Sequence, residues 1–365
     1  MHCKVCGNAD VWLALSRPRV PIMQNVVCPT RAAALAAPSG TLSLVECKRC
    51  GFAFNQDFDE ERVRYDVDYD NDVPSPTFAS YYKSLAHSLI DRLKLDDCVV
   101  YDVGCGKGTF LDELCSQAPT VRGVGIDPSC TPSVRGRVEL RRATFGSDQF
   151  APSARLVLLR HVLEHIGQPV PFLRELRKAT PAGAHVFVEV PDVTWTFRAG
   201  AFWDFCYEHC NYFTPASLRT ALSLAGFRVL EQQTSFGDQY QWALCSPTEA
   251  EAPQLRSPSS LAQDYAKSER AMLDRFRVLA ADTAYVVWGM AAKGVTFTTL
   301  VDGIVAGIDI NQKKQGKFAP VSGVEIQPPE RVSSDTGVFV MNPNYEKEIR
   351  SKLAELRVAP VVVVV

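Results

Sequence analysis

The densest chemistry in the chain begins at Tyr101-Asp102-Val103-Gly104-Cys105-Gly106-Lys107-Gly108. An apolar run precedes it and a helical pattern starts at Thr109, so the glycines fall on a strand-to-helix turn. Gly104, Gly106 and Gly108 let the backbone turn tightly and approach a ligand without Cβ contact. Free amides at the helix start suit a carboxylate as well as a phosphate. Asp102, just before the turn, is placed to hold an ammonium group, directly or through water. The same acid would sit badly beside a pyrophosphate, and the spacing departs from the Gly-x-Gly-x-x-Gly pattern of dinucleotide sites. Asp127 closes the next strand, where doubly wound folds set an acid against ribose hydroxyls. Asp148, in the segment 144–150, is either a partner for an adenine amino group or a solvated acid. A purely structural glycine turn and a dinucleotide site are the competing readings of these residues.

A second pattern is Cys3-x-x-Cys6 with Cys47-x-x-Cys50, each pair followed by glycine, Gly7 and Gly51. Two short knuckles of this kind supply four thiolates, the donor set of a closed structural zinc site. The intervening segments are broken by proline and have little core of their own, so metal binding would supply folding free energy. Unliganded or redox-active cysteines are the alternative. His2 and Cys28 are the nearby substitutes as ligands, while Cys98, Cys105 and Cys115 lie in apolar contexts and read as small core residues.

Two further stretches carry polar chemistry. Leu158-Leu159-Arg160-His161-Val162-Leu163-Glu164-His165 closes a strand; His161 reads as pocket wall and His165 as facing an acceptor, each against an ordinary buried histidine. Trp203-Asp204-Phe205-Cys206-Tyr207-Glu208-His209-Cys210-Asn211-Tyr212 precedes a helix opened by Thr214-Pro215. There Glu208 and His209 offer an acid and a base, with Tyr207 and Tyr212 as phenol donors. A carboxylate beside an imidazole favours the protonated base and raises its pKa. A structural polar cluster is the rival reading.

These groups need a scaffold, and the rest of the sequence provides one. The periodicity predicts helices at 81–95, 109–115, 171–179, 215–226 and 262–281, and strands at 99–103, 121–126, 155–159, 185–190, 227–230 and 241–245. Such alternation implies a mostly parallel sheet covered on both faces, ending in a hairpin. Residues 1–75 read as a zinc-binding and substrate-cap module, 76–245 as the core, 246–281 as a linker and helix, and 282–355 as a small α/β domain with strands at 285–288, 303–308 and 337–341. The closing valines read as a terminal strand or as an addition to the chain. Lys plus Arg total 39 against 41 Asp plus Glu, which argues against a broad nucleic-acid or membrane surface. Twelve cysteines, no leader-like apolar start and no run of about 18 apolar residues point to a reducing cytoplasm.

With these motifs in place, residues 98–245 resemble the class I S-adenosylmethionine-dependent methyltransferases. The whole chain resembles the bacterial zinc-containing deoxysugar C-methyltransferases, which methylate nucleotide-linked 4-keto sugars. Cys3, Cys6, Cys47 and Cys50 match that family's zinc module, Asp102 through Gly108 its cofactor loop, and Glu208-His209 its catalytic Glu-His segment. His165 matches a histidine that faces the sugar there. In the last domain Val287-Trp288-Gly289-Met290-Ala291-Ala292-Lys293-Gly294, the Asn311 to Pro320 segment and Asn342-Pro343-Asn344-Tyr345 match its motifs in order. The family's catalytic tyrosine stands three positions before the histidine, where this chain has Cys206, and Tyr207 follows one step later. Tyr65 and Tyr69 compete for a second active-site tyrosine.

The resemblance implies a class I methyltransferase Rossmann-like core, an N-terminal zinc module and a C-terminal Rossmann-like domain. It implies S-adenosylmethionine and structural Zn2+ as cofactors, a small-molecule acceptor of the nucleotide-sugar kind, and no nucleic-acid or membrane partner. The expected reaction takes a proton from carbon next to a ketone, with His209 as base, Glu208 tuning it, and His165 or a tyrosine steadying the enolate. O- or N-methylation, and a noncatalytic cofactor-binding protein, are the alternatives.

Overall fold

The computed structural model describes residues 2–65, 75–146, 150–248 and 262–365. Among the described residues, three sheets organise the fold. The largest has eight strands, in the order Arg228–Ser235, Tyr240–Ser246, His185–Pro191, Ala154–Arg160, Val99–Val103, Arg122–Ile126, Val138–Arg141 and Ser133–Arg135. Its five inner strands, from His185–Pro191 to Val138–Arg141, run parallel, while a hairpin closes one edge antiparallel. The inner strands are near-continuous apolar runs because helices cover both faces. Pro76–Leu93 and Thr109–Gln117 pack on one face around Leu89, Phe110, Leu114, Val100 and Leu158; Pro169–Ala179 and Pro215–Leu224 pack on the other around Leu173, Leu218, Val157 and Val188. The strand order reverses between Val99–Val103 and Ala154–Arg160, where open α/β sheets leave a crevice at the carboxyl ends of their strands.

The alternation expected from the sequence is present, with element ends moved by a few residues. The first helix starts five residues earlier, at Pro76, because Ser75 caps it through the Phe78 N–H and proline fills the first turn. Thr214 and Ser217 form a reciprocal capping box at the start of Pro215–Leu224.

A four-stranded antiparallel sheet joins Val11–Pro21, Ser39–Cys47 and Ala53–Asn55 to the short strand Asn211–Tyr212, contributed by the segment that follows His209. The third sheet is wholly parallel, in the order Ile326–Gln327, Ile304–Ile308, Tyr285–Trp288, Gly337–Val340 and Val361–Val364. Its last strand corrects the expected end at residue 355: the closing valines pair with Gly337–Val340, so this unit extends through Val364. The helix before it spans Tyr265–Asp282, and of the expected linker residues 249–261 lie outside the described residues. Arg17 ties these parts together, meeting Glu269 Oε1 at 2.5 Å and donating to the Phe202 and Phe205 carbonyls. Among the described residues no helix is long and apolar enough to cross a membrane.

Candidate functional site

The glycine turn at the switch point forms the floor of a cavity of about 150 Å³, lined by Asp102, Gly104, Gly106, Thr109, Arg160 and His161 among others. All three glycines have positive φ, +79°, +53° and +78°. At Gly104 an added Cβ would overlap the Val162 side chain, so only glycine fits. Asp102 is buried, and its Oδ1 has no hydrogen-bond partner. Burial pushes its carboxyl up to about 7, against the pull of Arg160. An orphaned acid of this kind beside backbone amides suits a ligand carrying an ammonium and a carboxylate, as the methionine end of S-adenosylmethionine does.

Asp127 closes the strand Arg122–Ile126 and holds the glycine turn. Its Oδ2 accepts the Gly106 N–H at 2.8 Å and its Oδ1 accepts from Ser129 N and Oγ at 2.7 and 2.6 Å. It clamps the glycine turn and does not line the cavity. Asp148 lies outside the described residues.

Beside this cavity is a buried ionic group that the sequence reading left without a role. Arg160 lies between the rings of Tyr82 and Phe110, 4.5 and 4.1 Å from their centroids, and pairs with Glu189 at 2.8 Å. Glu189 also accepts from the Tyr81 hydroxyl. Burial raises the Glu189 carboxyl, but Arg160 and His161 outweigh it and hold it down to about 2. A glutamate inside the otherwise apolar strand His185–Pro191 was the available signal, since charge there must be paired.

The acceptor-side residues converge, in a different arrangement from the one expected. Glu164, His165 and His209 bring one ligand-capable atom each within 4.8 Å of one another. The His165 and His209 rings meet edge-on at 4.8 Å, and His165 Nδ1 lies 2.7 Å from the Tyr65 hydroxyl and 3.0 Å from the Glu208 carbonyl. Tyr65 therefore stands at the cluster, whereas Tyr69 lies outside the described residues. The carboxylate close to His209 is Glu164, not its neighbour Glu208, which accepts the Gln24 backbone N–H. The expected rise in the His209 pKa is reversed: burial and then the adjacent His165 lower it to about 3, against Glu164. His209 is thus a neutral imidazole at physiological pH.

Tyr207 is not part of this cluster. Its ring is fully buried against Phe58 and Gly40, its hydroxyl accepts from Asp59 N at 3.0 Å, and it also lies 3.3 Å from the Asp57 carbonyl. Tyr212 is equally occupied, accepting from Cys206 N and donating to Cys206 O at 2.9 and 2.8 Å. The one-residue step from Cys206 to Tyr207 turns the phenol into the N-terminal sheet.

The four cysteine sulfurs lie within 4.8 Å of one another, with Cys3–Cys50 and Cys6–Cys47 both at 3.6 Å. A disulfide would need about 2.05 Å. A tetrahedron of about 2.3 Å zinc–sulfur bonds has edges of about 3.8 Å, close to these separations. The knuckles repeat each other: Gly7 N donates to Cys3 O and Gly51 N to Cys47 O, both at 2.9 Å, and both glycines have φ near +70°. The donor set and spacing fit one tetrahedral metal ion.

A larger cavity, of about 290 Å³, opens where the third sheet meets the core. Lys293, Lys314, Asn342 and Tyr345 line it from one side, and Asn25, Ser75 and Tyr240 from the other. Lys293 pairs with Asp204 at 2.8 Å and donates to Gln239 Oε1 at 3.0 Å, while Gln239 and Asn342 exchange two hydrogen bonds.

Residues 78–232 match the family model for a methyltransferase domain. No curated protein matches the chain. Similar solved structures include a methyltransferase of calicheamicin biosynthesis with S-adenosylhomocysteine bound (20% identity, 45% of this chain and 54% of that one, TM-score 0.35). They also include an N,N-8-amino-8-demethyl-D-riboflavin dimethyltransferase from Streptomyces davawensis (21%, 46% and 54%, TM-score 0.36). A third is a 1,6-didemethyltoxoflavin N1-methyltransferase from Burkholderia thailandensis (15%, 49% and 93%, TM-score 0.36). The chain spans about half the length of the first two.

Proposed function

We propose that this S-adenosylmethionine-dependent methyltransferase delivers its methyl group to carbon next to a ketone, on a nucleotide-linked keto-deoxysugar or a related metabolite. The observation that carries the reading is the grouping of the half-buried His209 with Glu164 and His165, in the segment that resembles the deoxysugar C-methyltransferases, with its imidazole held neutral. Carbon bound to hydrogen has no lone pair to offer, so the enzyme must first remove a proton. A neutral imidazole accepts one, and Glu164 offsets the charge that then develops. Tyr65 and the Glu208 carbonyl fix the orientation of the His165 ring.

In this reading Asp102 binds the cofactor ammonium, the amides of the glycine turn meet its carboxylate, and Asp148 remains a proposed adenine partner. The bound cofactor supplies an electrophilic sulfonium methyl. Cys3, Cys6, Cys47 and Cys50 hold structural Zn2+ in a module that caps the acceptor. The cavity bearing Lys293 and Lys314 receives the acceptor's anionic carrier. The test is mass spectrometry of products from methyl-labelled S-adenosylmethionine and a panel of nucleotide-linked 4-keto-6-deoxyhexoses deuterated next to the ketone. Methylation with loss of that deuterium supports the reading; a methyl ether or methylamine product refutes it.

A further inference from the structure

The start of the helix Pro76–Leu93 serves two cavities at once. Ser75, its N-cap, lines the larger one, while Phe78, Ala79 and Tyr82 line the cofactor cavity. The position of this first turn therefore sets part of the shape of the cofactor cavity. A helix start leaves four backbone N–H groups without a partner inside the helix and carries partial positive charge. Ser75 Oγ accepts one of them, the Phe78 N–H, at 3.3 Å.

A further partner comes from the unit built on the third sheet, 273 positions along the chain. Glu348, on the helix Glu346–Glu355, accepts through one carboxylate oxygen, Oε2, from Ser75 Oγ at 2.7 Å, Thr77 Oγ1 at 2.8 Å and Thr77 N at 3.3 Å. A carboxylate at a helix N-terminus is favoured by such donors and by the helix dipole together. The segment just before Glu348 adds a second hold. Asn344 Nδ2 donates to the Phe236 carbonyl at 2.8 Å, and Tyr345 meets the Phe236 ring at 5.8 Å. Phe236 in turn lies edge-on to Phe78 at 5.4 Å. One polar and one aromatic route thus run from the third sheet's unit to the first turn of the same helix.

We propose that Glu348 is a positioning residue for the cofactor: it holds the first turn of Pro76–Leu93 in the form that completes the cofactor cavity, so docking of the third sheet's unit sets cofactor affinity. The proposal rests on the smaller cavity as the cofactor site and is independent of which atom is methylated. Helix ends fray where nothing holds them, and a ligand that needs the ordered form binds more weakly in proportion to the fraction ordered. Asp102 and the glycine turn stand apart from Glu348, so losing the carboxylate weakens cofactor binding without abolishing it. Such coupling is reciprocal: cofactor binding steadies the Glu348 helix to the same extent. Glu348 also lines the larger cavity, which gives the two cavities a shared element.

The experiment titrates S-adenosylhomocysteine into the full chain by calorimetry and follows amide hydrogen exchange with and without it. Glu348→Ala should weaken binding by about 10-fold, an ordinary size for coupling between two sites. Glu348→Gln keeps an oxygen acceptor for the two hydroxyls and should recover part of that affinity. In the wild type, S-adenosylhomocysteine should slow exchange in the first turn of Pro76–Leu93 and in Glu346–Glu355; in Glu348→Ala the second effect should disappear. Thr77→Val leaves the Glu348 helix intact, so it carries the test if Glu348→Ala does not fold, and should weaken binding by about 3-fold, the worth of one hydrogen bond. Combined with Glu348→Ala, it should weaken binding no further than Glu348→Ala alone. A contact that only docks the third sheet's unit would lower the thermal midpoint and leave affinity unchanged. Wild-type affinity in Glu348→Ala and Thr77→Val therefore overturns the proposal, as do losses that simply add in the double variant. A wild type that binds no S-adenosylhomocysteine would defeat the cofactor assignment itself, and the role of Glu348 with it.

Discussion

Asn211 is the antiparallel partner of Phe54, and this register joins the segment after His209 to the strand that follows the second cysteine knuckle. Phe52, two residues past Cys50, packs against Phe213 at 5.0 Å, extending the same join into the core. The proposed metal centre and the proposed base are therefore attached to one sheet. Chelation, or Cys47→Ser, should lower thermal stability and reduce methyl transfer by at least about 10-fold, with S-adenosylhomocysteine affinity changed by less than about 3-fold. Metal content by atomic absorption, thermal melts and calorimetry check this; a metal-free protein of full activity would sink the zinc assignment.

Cofactor affinity should rise with pH through about 7. The Asp102 carboxyl is raised to about 7 by burial, so below that pH it is neutral and cannot pair with an ammonium. The sign for stability is opposite: the native state binds more protons than the unfolded chain, whose Asp titrates near 3.9, so this group's contribution falls as pH rises from about 4 to about 7. Asp102→Asn should flatten the binding profile and weaken affinity by about 10- to 100-fold, the worth of a charged hydrogen bond. Isothermal titration from pH 5.5 to 8.5 gives the answer.

His209→Gln should reduce turnover by at least about 100-fold while leaving cofactor binding in place. Because the native imidazole is held down to about 3, mainly by burial, the acid limb of kcat/KM above pH 5 should not come from this residue. Steady-state rates and calorimetry on the variant decide it.

Tyr207→Phe should behave as a structural change. It removes hydrogen bonding at Asp59 N and Asp57 O and should cost about 1 kcal/mol of stability, with kcat within about 3-fold of wild type. A large kcat loss with unchanged stability would restore the tyrosine to the reaction.

Glu189→Gln should be more damaging than either side of an exposed ion pair. It strands a buried Arg160 and weakens the position of Tyr81, for a loss of about 3–5 kcal/mol. Adding Arg160→Met should recover part of that loss, read from denaturant midpoints.

Much of this was legible in the sequence because the signals were local. Strand, glycine turn and helix start lie within a dozen residues around Asp102, and each cysteine knuckle within five. The capping pair Thr214 and Pro215 marked its helix for the same reason. What was misread depended on direction across the fold. Glu208 adjoins His209 in sequence, yet its carboxylate turns to Gln24 while Glu164, from another segment, faces the ring. The hydrogen bond from Gly106 N to Asp127 likewise depends on the register beside Val99–Val103, which the sequence does not display. The Glu189, Arg160 and His161 group needs two neighbouring strands to be seen at once.

The clamp on the glycine turn has a counterpart in the third sheet, where Asp309 Oδ2 accepts the Met290 N–H at 3.0 Å. These clamps join residues 21 and 19 positions apart, whereas the hydrogen bond from Gln24 to Glu208 spans 184. Short loops close at little entropic cost and long ones close late. The two turns can therefore form early within their own strands, and the acceptor side, which draws on the N-terminal sheet, the core and the third sheet, is assembled last. Refolding followed in time should recover cofactor binding before methyl transfer.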